Sequence, residues 1–209
     1  MTVASSKDTK HKAEDELLNF RKSSMQQDPF FLKMFKGGFQ EAITNSASFP
    51  EDSPGSFDIL ITWVYHGKLR PLTRVKDNRN ALAWKVISLY SLTEKLCSFE
   101  LMDDIMDAFR DFGVQNDSLP SCYFILTTYQ KFDSNSPLRR YVCYCYTYVL
   151  LNEKRDTGHM TDLLTTVPDL ASEMAKLLRE TGGFIPEPKS FSYCHFHTHH
   201  KYSLCPWEL

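Results

Sequence analysis

With 209 residues, 42% of them hydrophobic, the chain can bury a real core, as one domain with an extension or as two small ones. A formal net charge of −2 gives no electrostatic reason to expect nucleic acid or an anionic membrane as a partner. The start, MTVASSKDTKHKAEDE, lacks the apolar core of a secretory signal, and no apolar run approaches the roughly 20 residues that span a bilayer. A soluble intracellular protein, cytoplasmic or nuclear, is expected.

Residues 1–27 are rich in Lys, Asp, Glu, Ser and Gln, and read as a polar, partly disordered lead with at most a short helix at Leu17, Leu18 and Phe20. From Asp28 the pattern turns apolar. Phe30, Phe31, Met34 and Phe35 form a helical stripe that Gly37-Gly38 can cap. A short element from Phe39 to Ile43 follows, then Ser46-Ala-Ser-Phe49 leaves room for one short strand.

Behind Pro54, the residues Phe57, Leu60, Ile61, Val64 and Tyr65 recur at i, i+3, i+4, i+7, i+8, one face of an amphipathic helix. Ser53 suits its N-cap, Pro54 its first turn and Gly67 its stop. Arg70 to Asn80 reads as a polar loop. Its basic residues, Lys68, Arg70, Arg74, Lys76 and Arg79, read as solvated rather than as a nucleic-acid patch, because Asp77 interrupts them and the chain is acidic overall. Leu82, Val86, Leu89, Tyr90, Thr93 and Leu96 then predict a helix. Ser98 opens the next one, with Leu101, Met102, Ile105, Met106 and Phe109 as its stripe and Gly113 as its stop. Three amphipathic helices in succession must share one core.

A turn-rich break at 114–120 precedes helices over Cys122–Tyr129 and Pro137–Leu151. The second is apolar nearly all round, YVCYCYTYVLL, which calls for burial or a partner, and aromatics at helical spacing favour burial. Leu170, Met174, Leu177 and Leu178 mark a further helix that Gly182-Gly183 ends; from Ile185 the chain is irregular. Cys97, Cys122, Cys143 and Cys145 sit in apolar or aromatic runs and read as structural thiols, and no disulfide framework is expected. For catalysis there is no glycine-rich phosphate loop, no G-x-S-x-G elbow and no H-E-x-x-H helix. Asp103 and Asp104 are adjacent, so they face different sides of a helix and make a poor acid/base pair. The chain is not expected to be an enzyme.

The order Phe30-Phe31, Phe35-Lys-Gly-Gly-Phe39, Glu41-Ala42, Pro50-Glu51-Asp52, Phe57, Trp63-Val-Tyr65, Gly67-Lys68-Leu69, Leu89-Tyr90, Glu94-Lys95-Leu96, Leu101-Met102 resembles the BTB/POZ domain in the form common in filamentous fungi. Tyr129 and Ser136-Pro-Leu-Arg-Arg140 look like the helical extension of that form. The resemblance implies an α+β fold, predominantly α: a BTB/POZ-like helical cluster over 28–114 with a reduced sheet, a helical C-terminal extension over 115–183, and a Cys/His-rich tail over 184–209. The family's opening β-hairpin has no counterpart, since no period-2 apolar run precedes Asp28 and only His11-Lys12 matches its helix start. The N-terminal hairpin is truncated or diverged, and losing two strands exposes apolar surface and a sheet edge.

The resemblance further implies a protein–protein interaction module. Phe39-Gln40-Glu41 matches the hydrophobic–x–Glu pattern with which some BTB adaptors meet a cullin scaffold, so a substrate adaptor of a cullin-based ubiquitin ligase is expected, with a client held elsewhere. The physical logic is an apolar anchor in a pocket beside a carboxylate that accepts charge-assisted hydrogen bonds. A self-associating or transcription-associated BTB scaffold, a homo-oligomer without a ligase role, is the alternative. The third reading comes from the tail CHFHTHHKYSLC, whose Cys194, His195, His197, His199, His200 and Cys205 offer ligand types for a structural zinc. Their spacing fits no standard finger, and an irregular polar tail without cofactor is the expectation set against it.

Overall fold

The computed structural model describes residue 43 and residues 51–75, 78–152 and 158–198. The expected N-terminal segment, the stripe from Phe30 to Phe35, the Gly37-Gly38 cap and the strand near Phe49 lie outside them; Ile43 is helical and exposed. Among the described residues the fold is predominantly helical, with one two-stranded sheet. No helix among them is long and apolar enough to cross a membrane.

Helix α1, Pro54–His66, begins at Ser53 and ends at Gly67, as the sequence predicts. Gly67 takes a left-handed φ of 62° and donates its N–H to the Trp63 carbonyl at 2.7 Å, which satisfies an orphan acceptor of the last turn. Ser53 caps through its backbone only: its carbonyl accepts from Ser56, and its hydroxyl makes no capping bond. The packed face includes Phe57, Leu60 and Val64 of the expected stripe and widens beyond it. Ser56, Ile59 and Leu60 are buried, whereas Tyr65 is 45% exposed. Trp63 also packs on this side, its ring NH donating to Asp104.

The polar stretch expected to be a loop forms an antiparallel hairpin, β1 (Arg74–Val75) with β2 (Asn78–Leu82), pairing Arg74 with Leu82. Strands this short and polar show no alternating apolar signal. Trp84 follows, buried, with its ring NH on the Arg70 carbonyl at 3.2 Å, tying the hairpin's exit to its entry. Leu82 therefore belongs to β2, and the next helix, α2, is Val86–Lys95.

Helix α3, Phe99–Gln115, runs two residues past Gly113. Gly113 is a buried interior glycine, not a stop: a Cβ there would lie 2.9 Å from the Ser118 carbonyl oxygen, and that close return of the chain requires a residue without one. Helices α4 (Cys122–Lys131), α5 (Pro137–Asn152), α6 (Gly158–Thr166) and α7 (Pro168–Glu180) follow. Ser121 caps α4, accepting the Phe124 N–H at 3.2 Å. The sequence did not announce α6, whose stripe is only Met160, Leu163 and Leu164.

Helix α5 resolves its all-round apolarity by burial. Leu138, Tyr141, Val142, Cys143, Cys145 and Tyr146 are all buried, between α4, α7 and the C-terminal segment. One cluster of buried apolar side chains extends from Ile59 to Phe196 through every helix but the exposed faces. At one edge Arg139, its side chain 6% exposed, donates to Asp169 at 2.9 Å and pairs with Glu173 at 2.7 Å, lying over the Tyr129 ring at 4.2 Å. Tyr129 donates to Glu173 at 2.6 Å, so one cation locks α4, α5 and α7 together.

Candidate docking surface

The expected scaffold contact, Phe39, Gln40 and Glu41, lies outside the described residues, as do His199, His200 and Cys205 of the tail. The other three tail residues are placed, and they point apart. Cys194, offered by the sequence as a metal ligand, is disulfide-bonded and brings no thiolate to a metal, whereas Cys97, Cys122, Cys143 and Cys145 are free thiols as expected. The His195 ring stacks on Phe191 at 4.2 Å between centroids, and His197 Nε2 meets Asp107 Oδ1 at 2.7 Å. Among the described residues no group of three or more metal-ligating side chains converges.

The tail is instead a strap laid across α3 and α5. Two turns of 3-10 helix, Pro188–Ser190 and Tyr193–Phe196, punctuate it, which fits the irregular backbone expected from Ile185. The expected solvation fails: Phe196 is fully buried, edge-on to Tyr141 at 5.0 Å and to Tyr144 at 5.6 Å. Aromatic pairs at these spacings add to the apolar burial.

Arg110 anchors the strap. This buried guanidinium donates to the carbonyls of Phe191 at 2.6 Å, Ser192 at 3.0 Å and Tyr193 at 3.1 Å, and it lies 5.3 Å from the Phe196 ring. A buried cation needs such a set of acceptors to offset its lost hydration. Arg140 on α5 donates to the His195 carbonyl from the other side.

Along α3, carboxylates four residues apart line up beneath the strap. Asp111 accepts the Tyr193 hydroxyl at 2.7 Å, Asp107 meets His197, and Asp103 accepts the Thr198 N–H at 2.6 Å and hydroxyl at 3.1 Å. Lys189 reaches Asp117 just past the helix end, so the strap runs antiparallel to α3. Asp103 thus faces the strap while Asp104 faces Trp63, on different sides of the helix. The sequence carried a signal for this surface, the 103/107/111 spacing, but nothing in it linked that stripe to residues some 80 to 95 positions away.

Burial sets the electrostatics. It lowers the His195 imidazole below its usual range, with the Arg140 and Arg110 charges acting in the same direction, so the ring is held neutral. The Asp111 hydrogen bond, ahead of burial, raises the Tyr193 phenol. Beneath the strap, burial pushes the Cys143 thiol up to about 11 and the Cys145 thiol to about 12, so both are protonated at neutral pH and poor nucleophiles. Cys97, by contrast, is exposed rather than packed among apolar groups, because a φ of 53° at the α2–α3 corner turns it outward. A cavity of about 390 Å³ lies between α4, α5 and α6, lined by Ile125, Cys145, Tyr146, Val149 and Met160, with Lys189 and Asp117 at its rim.

What this arrangement does chemically is hold an extended segment, by its carbonyls, its aromatics and its hydrogen-bond donors. No protein-family model, curated protein or solved structure matches the chain.

Proposed function

We propose that the chain is a BTB/POZ-like protein-interaction module that serves as a substrate adaptor on a cullin-based ubiquitin ligase, with Phe39 and Glu41 turned to the scaffold. What supports this reading is the way separate pieces of the family-like pattern meet. Lys95, from the Glu94-Lys95-Leu96 piece, pairs with Asp52, from the Pro50-Glu51-Asp52 piece, at 3.1 Å, and the Asp52 side chain is only 5% exposed. Trp63, from the Trp63-Val-Tyr65 piece, bonds to Asp104 on the helix that carries Leu101-Met102. One pair of matching residues, Asp52 and Lys95, is therefore also a pair in space, and Trp63 reaches the helix that carries another matching piece.

Calorimetric titration of the full chain with a cullin N-terminal domain tests the reading. Micromolar or tighter binding is expected, weakened in Glu41→Ala. In Phe39→Ala the loss is about 2 kcal/mol or more, the range of an interface hot spot and roughly thirtyfold in affinity. No heat from the wild type, or unchanged affinity in both variants, overturns the adaptor role.

A further inference from the structure

We propose that the α3/α5 face beneath the strap is a peptide-docking surface, that residues 187–198 occupy it as a ligand in cis, and that its partner is an extended protein segment carrying two aromatic anchors five residues apart followed by hydrogen-bond donors. This extends the adaptor reading by naming where a client is held, but it stands on different residues from the scaffold contact.

The case rests on how the strap is recognised. It forms no sheet pairing and no long helix among the described residues. Its backbone is read through the carbonyls of Phe191, Ser192 and Tyr193 by Arg110, and through that of His195 by Arg140. Contacts to carbonyl oxygens do not depend on side-chain identity, so they suit any extended segment. Specificity falls to the two rings, Phe191 and Phe196, and to the groups that meet the carboxylates of Asp111, Asp107 and Asp103. These are the means by which peptide grooves bind partners: fixed acceptors and donors for the backbone and pockets for selected side chains. An acidic stripe beside buried arginines rejects acidic segments and favours segments with hydroxyl, amide or imidazole donors.

The strap joins α7 through a short linker whose outer side is open. Gly182 and Gly183 join it to α7 with φ of 64° and 83°, and neither has an atom within 4 Å of where a Cβ would be. Phe184 beside them is 73% exposed. From Ile185, itself buried, the chain packs again, with Pro188 and Phe196 also buried. A segment held on such a short linker competes at an effective concentration on the order of 1 mM, so a partner in trans meets a strong but finite competitor.

The test uses the full chain and a labelled peptide of residues 187–198 with Cys194→Ser, followed by fluorescence anisotropy. Three proteins are compared: wild type, Phe196→Ala to loosen the strap while sparing the face, and Phe196→Ala/Arg110→Gln to damage both. Binding to Phe196→Ala at least tenfold tighter than to wild type, and lost in the double variant, supports the proposal. Equal binding to all three, or no binding to Phe196→Ala when hydrogen exchange shows residues 188–198 released, overturns it. Should Phe196→Ala fail to fold by circular dichroism, His197→Ala/Thr198→Ala takes its place with the same two outcomes. Because none of these residues belongs to the Phe39–Glu41 contact, failure here leaves the cullin titration untouched, and the reverse.

Discussion

The bond between Trp63 and Asp104 ties α1 to α3 and can be tested by its pH dependence. The indole NH lies 2.7 Å from Asp104 Oδ2 in a partly buried setting. Burial raises the Asp104 carboxyl above its ordinary range; the Trp63 hydrogen bond pulls it back, and the charges of Asp107, Asp103 and Glu100 add to the rise. A hydrogen bond to a charged group contributes about 1.5–3 kcal/mol, so Trp63→Phe, which keeps an aromatic ring but removes the donor, should cost about 2 kcal/mol at pH 7. The sign with pH follows from linkage. A carboxyl whose folded pKa is raised gives its full contribution below its unfolded pKa, about 4, and loses it as pH rises through the folded value. Removing the donor raises that value further, so the cost of Trp63→Phe is greatest at neutral pH and shrinks toward pH 4. Asp104→Asn keeps an acceptor for the indole and carries no charge. It should be more stable than wild type at pH 7 and flatten the pH profile between about 4 and 7. Urea unfolding of the two variants and their double mutant at pH 4.5 and pH 7 makes the measurement. Equal costs for Trp63→Phe at both pH values, or a destabilised Asp104→Asn at pH 7, would refute the reasoning.

Two further substitutions probe the packing that carries the surface. Gly113→Ala places a Cβ 2.9 Å from the Ser118 carbonyl oxygen, and forcing the chain apart there should cost about 1–3 kcal/mol; a melting temperature within error of wild type would show the return after α3 to be pliable. Arg139→Ala removes the partner of Glu173, whose side chain is 25% exposed, and leaves α4, α5 and α7 without their common cation, so thermal unfolding should report a loss of about 3 kcal/mol.

The elements most legible in the sequence were those whose ends carry their own chemistry. Pro54 and Gly67 bound α1, Ser136-Pro137 opens α5, and Gly182 and Gly183 stop α7, because a first-turn proline and a left-handed glycine act locally and need no tertiary help. Faces were less legible than ends. Of the stripe Phe57, Leu60, Ile61, Val64 and Tyr65, the residues Phe57, Leu60 and Val64 do pack on the core, but Ser56, Ile59 and Trp63 join them there, so the packed face is broader than the spacing alone marks. A buried serine costs little when its neighbours pack, and Trp63 gains a charged acceptor that periodicity cannot reveal. Gly113 misled for a similar reason. A glycine required by a long-range approach looks, in sequence, the same as one required by φ.

The tail shows why residue type alone carried the site only half-way. Histidines alternating with aromatic and hydroxyl residues are sound metal-ligand chemistry, and they are equally sound hydrogen-bonding chemistry when carboxylates lie opposite. Which of the two applies depends on what faces them. Asp103, Asp107 and Asp111 form a stripe that an isolated helix would present to water, and among the described residues Tyr193, His197 and Thr198 find acceptors there. Arg110 completes the argument. An arginine among the apolar residues of α3 reads as an interruption of the stripe, yet burial obliges such a group to find several acceptors, and an irregular segment has unpaired carbonyls to offer. A buried arginine on a helix and a distant segment too irregular to pair its own backbone are complementary needs. Once Arg110 is buried, the two needs explain why this segment lies on that helix, with the carbonyls of Phe191, Ser192 and Tyr193 supplying the acceptors.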